Sequence, residues 1–388
     1  MKFFRKFIFW LHLIAGLVGG IVIFIMSITG VLLAFESQIT KFAEKEMRLI
    51  TPPTAETPHL SPQEIFTKVQ AANPKLKPTG ITVYSDKDLA VIIALGREGI
   101  IYVNPYTGHI LGEGSKNTRA FFHVTTDLHR WLAMHGQNRA IGQAITGFCN
   151  TAFLFLALTG LYIWWPKQLT KQHLRPITTF RSNLKGRARD FNWHNVIGFW
   201  SLLILIIITA TGMVFSYQWA NNLIYTITGN EAPKRPSSPP NQAQANQNRE
   251  TKIEIPANLD QLWLQAEKTA PTWKMISLRF PTNPNQPVSF SIDEGKSFNP
   301  FARSQLTFNA ATAEVTKWEP YEQLNQGRKL RSWVRSLHTG EAAGLPGQII
   351  AFIASLGACV LVYTGFALAW RRFTNWKATR SKIPTPAN

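Results

Sequence analysis

The sequence is poor in cysteine, with only Cys149 and Cys359 among 388 residues. Two cysteines cannot form the disulfide framework of a small secreted scaffold, and no CxxC or CxxCH motif occurs that would bind zinc or attach a c-type haem. Both cysteines lie inside apolar runs, where a thiol acts as a small hydrophobic side chain. The sequence therefore excludes disulfide-rich and thiolate-metal proteins.

Motifs of the common hydrolases and nucleotide-dependent enzymes are also absent. The chain contains no HExxH, no nucleophile elbow, no P-loop and no GxGxxG after a strand. The sequence therefore predicts no catalytic side chain and no nicotinamide site.

Acidic residues are scarce as well, and long apolar runs are plentiful. There are 22 Asp and Glu against 41 Lys and Arg, a net charge of +19, and the charged fraction of 16% is well below the usual value of about 25%. The four apolar runs are Phe7–Phe35, Ala140–Trp165, Val196–Tyr217 and Gly347–Trp370. Each run is long enough to cross about 30 Å of hydrocarbon as a helix.

The basic residues predict the topology of these spans. The connection at 167–190 carries seven Lys or Arg residues and only Asp190 as an acid, and the C-terminal tail is basic too. Because short basic loops stay in the cytoplasm, both termini are predicted to be cytoplasmic and the two long polar blocks to lie outside. The first run is interpreted as an uncleaved signal anchor. Since topology accounts for the basic charge, no nucleic acid partner is predicted.

The predicted fold class is an α-helical membrane protein with four transmembrane helices in two tandem repeats and two outer α+β domains. Helical spacing, alternating apolar residues and turn motifs predict a helix followed by strands in each outer block, and a Ser-x-x-Glu capping box marks the start of the first of these helices. The predicted segments are transmembrane helices at 1–36, 129–166, 191–227 and 338–373, outer domains at 37–128 and 253–337, a basic cytoplasmic loop at 167–190, a linker at 228–252 and a cytoplasmic tail at 374–388.

Matching spacings indicate that the two halves of the chain are duplicates. His12 and His194 are each followed by glycine at +4 and by a Thr-Gly pair at +17 and +18. Gly142 and Gly347 are likewise followed by glycine 18 residues later, again within a Thr-Gly pair. Because both halves enter the membrane from the same side, the repeat is predicted to be parallel.

Several segments together resemble one known family, the PepSY-associated transmembrane family. They are PYTGHILGE, LFLALTGLYIWWPK, FNWHNVIGFW, TATGMVFSYQWA and SLHTGEAAGLPG. The resemblance implies four inner-membrane helices with PepSY-like domains in the bacterial periplasm. Within the family, the siderophore-iron reductases, such as the ferrioxamine B reductases, look most similar. They imply a protein with two b-type haems that moves electrons to periplasmic ferric chelates.

Histidines at the ends of the predicted spans are the candidate iron ligands. His12 and His194 lie at the predicted cytoplasmic ends of the first and third spans, at equivalent positions of the repeat. His129 and His338 lie at the predicted periplasmic ends of the second and fourth. Two histidines at each face are what two bis-histidine haems need. We call His12 and His194 the inner pair and His129 and His338 the outer pair.

Spacing alone does not identify which histidine is the outer ligand in the first half of the chain. His129 precedes Gly142 by 13 residues, whereas His338 precedes Gly347 by nine. The repeat therefore does not choose between His129 and His135, and His123 is a third alternative. The family resemblance favours His129.

Glycines and arginines near these histidines form a second group of candidates. Gly16 and Gly198 lie one turn after His12 and His194, where a missing side chain lets a flat macrocycle approach the backbone. The glycines of the Thr-Gly pairs are assigned to helix packing. Arginines near the outer pair are candidates for holding haem propionates or an anionic ligand, although solvated side chains are the ordinary alternative; they are Arg130, Arg328, Arg331 and Arg335.

The functional expectation is a di-haem oxidoreductase for iron uptake. Electrons from a quinol or a cytoplasmic reductase are expected to enter at the inner pair and to leave at the outer pair to a ferric siderophore or similar chelate, on the periplasmic side between the outer domains. Besides these partners, only membrane lipid is expected. The alternative is a non-redox PepSY protein that binds peptides or restrains a peptidase. A transporter is disfavoured because the spans carry almost no charge at mid-depth.

Overall fold

The structure is a computed structural model that describes residues 2–54, 56–166, 168–233, 255–281, 286–310 and 312–380. The chain divides into two units. The helical unit comprises Met1–Glu36, Phe122–Ile224 and Trp333–Asn388, and the sheet unit comprises Ser37–Phe121 and Tyr225–Ser332. The predicted linker at 228–252 falls mostly on residues 234–254, outside the described residues, as does the end of the predicted tail.

Helices account for most of the described chain. In order they are α1 (Lys2–Leu33), α2 (Glu36–Ala43), α3 (Lys45–Arg48), α4 (Pro62–Ala72), α5 (Lys116–Trp131), α6 (Arg139–Trp164), α7 (Lys171–Thr178), α8 (Gly186–Ser216), α9 (Gln218–Ile227), α10 (Leu259–Thr269), α11 (Gln326–Thr339) and α12 (Gly344–Arg380). The strands are β1 (Gly80–Tyr84), β2 (Val91–Ala94), β3 (Ile100–Val103), β4 (Ile110–Glu113), β5 (Met275–Arg279), β6 (Val288–Asp293), β7 (Ser304–Phe308) and β8 (Val315–Glu319).

Within the described residues, four helical segments are long and apolar enough to cross a membrane, which confirms the four predicted spans. They are Phe3–Leu33, Gly136–Trp164, Gly186–Ser216 and Glu341–Lys377. The corresponding helices α1, α6, α8 and α12 pack in a ring, in which α1 and α8 each contact both α6 and α12. Helices α1 and α8 are therefore diagonal partners, as are α6 and α12.

The second and fourth spans begin later than the sequence predicted. The predicted helix at 129–166 is broken, because α5 ends at Trp131 and Leu132 and Ala133 adopt left-handed φ angles of 52° and 55°. The predicted helix at 338–373 is broken at Gly340, where φ is 77°. After this turn α12 starts at Gly344 and continues to Arg380.

The third span and the loop before it differ from the prediction too. The predicted helix at 191–227 is two helices, α8 and α9, because Tyr217 between them has an extended backbone. Helix α8 starts at Gly186, so it takes up the end of the predicted loop at 167–190, which also contains the short helix α7. The first span ends at Leu33, close to the predicted boundary of 36.

All eight described strands form one antiparallel sheet in the order β4-β3-β2-β1-β5-β6-β7-β8. The two predicted outer domains are therefore joined, because β1 of the first pairs with β5 of the second. The register places Val83 opposite Ile276, and Thr82 Oγ1 and Ser277 Oγ lie 3.0 Å apart across the join. The strand order is symmetric about this join, as a duplication requires.

A single core supports this sheet. Helices α4 and α10, one from each half, pack with the strands of both halves in one cluster of buried apolar residues. The rings of Phe66 on α4 and Phe280 lie 5.1 Å apart, and those of Trp263 on α10 and Phe290 lie 5.6 Å apart. The predicted start of α4 is confirmed, since Ser61 and Glu64 form a reciprocal capping box.

Glu44 supplies a buried charge to the sheet unit. Its carboxylate accepts hydrogen bonds from Nε and Nη2 of Arg119 at 2.6 and 2.8 Å, from the hydroxyl of Tyr102 at 2.7 Å and from the backbone N–H of Ser115 at 2.8 Å. Burial raises the pKa of Glu44, but the hydrogen bonds of Arg119 and Tyr102 outweigh it and leave the pKa below its ordinary value.

Candidate functional site

The inner pair lies on diagonal helices and faces one cavity. His12 on α1 and His194 on α8 both line a cavity of about 310 Å³ within the helical unit. His12 Nδ1 lies 2.9 Å from Thr159 Oγ1 on α6, and His194 Nδ1 lies 2.9 Å from Thr364 Oγ1 on α12. Each ring is thus held by the neighbouring helix of its own half of the chain.

The hydrogen bonds of these threonines indicate which nitrogen of each imidazole carries the proton. The Thr159 hydroxyl lies 2.7 Å from the carbonyl oxygen of Phe155 and the Thr364 hydroxyl 2.8 Å from that of Val360, so each hydroxyl donates to its own helix. The threonine oxygen then accepts from the histidine Nδ1–H. A neutral imidazole with its proton on Nδ1 keeps a lone pair on Nε2, the form that ligates a metal.

Glycines bring the helix backbones close to this cavity. Gly16 and Gly198, the two predicted beside the macrocycle, are part of its wall, and so are Gly160 and Gly365. A Cβ at Gly160 would lie 3.5 Å from Cε1 of His12, and one at Gly365 would lie 3.8 Å from Cε1 of His194. Gly160 and Gly365, which the sequence assigned to helix packing, therefore pack on the histidine rings themselves.

The rest of the cavity wall has the chemistry of a haem pocket. Apart from the two histidines, its charged side chains are Arg187 and Arg372, and most of its other residues are apolar. A haem presents a flat apolar macrocycle, two carboxylates and an iron that takes one axial ligand from each side. The cavity offers an apolar wall, two cations and two imidazoles, so its residues fit the group.

The outer pair is a second pair of facing imidazoles. His129 near the end of α5 and His338 near the end of α11 have ring centroids 6.4 Å apart and ring planes at 66°. An iron bound to an imidazole on each side through bonds of about 2 Å separates the ring centroids by roughly 6 Å. The outer pair therefore has the spacing of a bis-histidine site.

Threonines hold the outer pair in the same way as the inner pair. His129 Nδ1 lies 2.9 Å from Thr29 Oγ1 on α1, and His338 Nδ1 lies 3.1 Å from Thr211 Oγ1 on α8. His338 Nδ1 also lies 3.0 Å from the carbonyl oxygen of Ile208, which can only accept. Its proton is therefore on Nδ1, and Nε2 is left for a metal.

The structure separates His129 from its two sequence alternatives. His135 and His123 have side chains that are 73% and 76% exposed, and their Nδ1 atoms lie 3.8 and 3.5 Å from Oδ2 of Asp127. His129 is the histidine of α5 that faces His338. The geometry therefore favours His129 as the outer ligand.

Tight turns position the helices that carry the outer pair. A Cβ at Gly142 would lie 2.0 Å from the carbonyl oxygen of Trp131, and one at Gly347 would lie 2.3 Å from that of Gly340. Glycine at these positions lets α6 and α12 pack directly against the turns that follow α5 and α11. The different spacings of 13 and nine residues follow from turns of different length, at 132–138 and 340–343.

Each half of the chain contributes one histidine to each pair. The first half supplies His12 and His129, and the second supplies His194 and His338. Both pairs therefore form between the halves, whereas each threonine contact stays within one half. His12 and Thr29 are 17 residues apart on α1, so the two sites are separated by roughly 25 Å along the helix.

Pairs of histidines alone suit a metal that brings other ligands with it. Among the described residues no group of three or more His, Cys, Asp or Glu side chains is arranged to hold a metal ion. A haem iron already has four macrocycle nitrogens and needs only two axial ligands. This donor set fits haem better than a bare ion.

The four candidate arginines are in different surroundings. Arg328 belongs to the sheet unit and forms an ion pair with Glu319, and Arg331 belongs to that unit as well. Arg130 and Arg335 belong to the helical unit. Arg328, Arg331 and Arg335 lie on α11, and Arg130 lies on α5.

Sequence reasoning missed the role of the threonines. The four are Thr29, Thr159, Thr211 and Thr364. Their signal was present, because each opens a Thr-Gly pair at a fixed spacing in the repeat. The spacing identified the pairs, but only the fold shows that each threonine bonds a histidine from another helix.

Fold and site together define a membrane protein with four spanning helices, an α+β sheet unit and two pairs of threonine-held histidines. The family described as the PepSY-associated TM region matches residues 9–372. The chain therefore belongs to the PepSY-associated transmembrane family. A comparison with curated proteins finds no significant match.

Proposed function

We propose that this protein is a transmembrane oxidoreductase that holds two b-type haems, one at the inner pair and one at the outer pair. The observation that carries the proposal is the repeated geometry of four histidines, each bonded through Nδ1 to a threonine that donates to its own helix. A histidine needed only for helix packing has no reason to keep one tautomer at four related positions.

The residues of the chain hold, orient and shield the cofactors. Thr159 and Thr364 fix the inner imidazoles, Gly16 and Gly198 leave room beside them, and Arg187 and Arg372 are the cations available for haem carboxylates. Each bound haem supplies one-electron transfer. The apolar wall excludes water from the macrocycle, which is a principal means by which proteins set a haem potential.

The proposed substrate is a ferric siderophore or similar chelate in the periplasm, whose Fe³⁺ takes up one electron and becomes Fe²⁺. A quinol or a cytoplasmic reductase supplies the electrons at the inner pair. The proposed location is the bacterial inner membrane with both termini in the cytoplasm, which the basic segment at 167–190 supports through the positive-inside rule. Together these steps amount to a reductive step of iron uptake.

The visible spectrum of the purified full-length protein tests the proposal. We expect a haem absorption band, split α and β bands on reduction with dithionite, and two haems per chain in a pyridine haemochrome assay. Reoxidation of the reduced protein by a ferric chelate, followed in the same spectrum, tests electron transfer to the substrate.

A colourless protein from haem-replete cells would contradict the redox function and favour the alternative of a non-redox PepSY protein. A protein that contains two haems but is not reoxidised by any ferric chelate would contradict only the substrate. The double variant His12→Ala/His129→Ala, which removes one ligand from each pair, is the matched control and should purify without haem.

A further inference from the structure

Two arginines lie over one tryptophan beside the outer pair. The Cζ atom of Arg139 lies 3.6 Å from the centre of the Trp131 ring, and that of Arg130 lies 4.5 Å from it. Both arginines are exposed, whereas Trp131 is half-buried. Trp131 follows His129 by two residues, so this group is adjacent in sequence to the proposed outer ligand.

The backbone around this group is fixed. The Arg130 carbonyl accepts a hydrogen bond of 2.9 Å from Thr146 on α6, and the Trp131 carbonyl packs against Gly142. Arg139 is the first residue of α6. The two guanidiniums therefore project from a rigid turn rather than from a free loop.

The start of α6 adds to the positive potential. Its first turn contains no acidic residue, and the side chain of Asn138 forms no capping hydrogen bond there. The backbone N–H of Arg139 is bonded to the carbonyl oxygen of Gly136, so the start of α6 contributes mainly the partial positive charge of a helix end. Such an end attracts anions, and here it lies beside arginines.

Like charges are held close together at this place. Because both guanidiniums contact one ring, they are no farther apart than the screening length of physiological salt, about 8 Å. Two exposed like charges are thus held over one ring.

We propose that Arg130 and Arg139, with Trp131 and the start of α6, form an anion site that binds carboxylates of the ferric chelate. The inference rests on the proposed function and adds the substrate class, an anionic chelate. The outer haem also carries carboxylates, but Arg130 and Arg139 are exposed and lie beside a helix start. The exposure of these arginines suits a ligand that exchanges with solvent.

Binding of redox-inert gallium(III) chelates to the full-length protein in nanodiscs of zwitterionic lipid tests the inference. We expect gallium(III)–EDTA, an anion, to bind more tightly than the cationic gallium(III) complex of desferrioxamine B, and its affinity to fall as salt is raised. Because gallium(III) is not reduced, this binding does not depend on electron transfer.

Arg139→Gln should weaken binding of gallium(III)–EDTA about tenfold, since it removes one charge-assisted hydrogen bond, and should leave the haem content unchanged. Arg175→Gln, which removes an exposed charge from α7, is the matched control and should bind as the parent does. A preference for the cationic chelate, or equal binding by Arg139→Gln, would overturn the inference.

Two further outcomes would assign the arginines to other carboxylates or phosphates and overturn the inference. Loss of one haem per chain from Arg139→Gln would show that the arginines hold haem propionates. Loss of chelate binding in nanodiscs of anionic lipid would show that they hold lipid phosphates. A protein without haem that still binds gallium(III)–EDTA would contradict the proposed function while retaining the anion site.

Discussion

His129 and His338 face one another with their ring centroids 6.4 Å apart, although they belong to different halves of the chain. Neither ring is held by its facing partner. Thr29 bonds His129 and Thr211 bonds His338, and each threonine belongs to the same half as the histidine that it holds. The gap between the rings is therefore set by how the two halves pack, which makes the pair sensitive to single changes in either half.

Removal of the outer ligand should remove one haem. We expect His129→Ala to lower the haem content by about half and to abolish reoxidation by ferric chelates, because the outer iron loses one of its two axial ligands. The measurement is the pyridine haemochrome assay on purified protein. His135→Ala is the matched control, since the exposed ring of His135 lies near Asp127. This variant should retain both haems. Loss of one haem from His135→Ala, with both haems retained in His129→Ala, would assign the outer ligand to His135 instead.

The inner pair should behave as a single site. Either His12→Ala or His194→Ala should lower the haem content by about half, because both rings line the same cavity. The double variant should lose no more than either single variant. Additive losses in the haem content of the double variant would show that the two histidines do not serve one iron.

Removal of a threonine hydroxyl should weaken the haem site without removing a ligand. Thr159→Val deletes the acceptor for the Nδ1–H of His12. Partners of this kind typically contribute about 10–100-fold to metal affinity. We therefore expect the inner haem to be lost more readily to apomyoglobin, and its midpoint potential to change.

Thr209→Val is the matched control for Thr159→Val. The Thr209 hydroxyl also donates to a carbonyl four residues earlier, that of Leu205 at 2.6 Å. In the described residues its hydroxyl contacts neither histidine pair. Equal haem loss from both variants would show that any threonine change loosens the helices, and that the contact to His12 has no special role.

Glu44→Gln should destabilise the sheet unit at neutral pH. The substitution removes the charged partner of Arg119, whose side chain is 38% exposed, so we expect a loss of about 1–3 kcal/mol. The measurement is the unfolding midpoint of the full-length protein in detergent. Glu46→Gln is the matched control, because Glu46 is exposed on the adjacent helix α3. This variant should have the same unfolding midpoint as the parent.

The effect of Glu44→Gln should depend on pH in one direction. Because the folded protein holds the pKa of Glu44 below its ordinary value, its stabilisation is present above the ordinary pKa of about 4.3 and is lost as the pH falls through the folded pKa. The difference between parent and variant should therefore shrink on acidification. A difference that grows at low pH would contradict this account of the network.

Much of the architecture follows from local sequence patterns. The four spans were predicted because about 20 apolar residues suffice to cross a membrane whatever the neighbours are. The capping box at Ser61 and Glu64 predicted the start of α4, since both of its hydrogen bonds are local. The breaks after Trp131 and Thr339 were missed, because they depend on the packing of a turn against Gly142 and Gly347.

Some residues of the candidate site were likewise predicted from the sequence, and others were selected only by the fold. The repeat identified the inner histidines and His338, while spacing left His129, His135 and His123 open. The fold favours His129, because only its ring, among these three, faces His338. Haem binding, the electron donor and the chelate stay predictions.

The sequence alone determined the membrane class, the tandem duplication and the set of candidate histidines, because hydropathy, spacing and residue type are properties of the chain itself. Only the tertiary structure decided which groups meet. It joined the two outer blocks through β1 and β5, placed a threonine against each of the four histidines, and brought Arg139 over Trp131. The strand pairing and the threonine contacts join segments that are distant in sequence, and the contact of Arg139 with Trp131 depends on how the turn after α5 packs, so no local pattern encodes any of them.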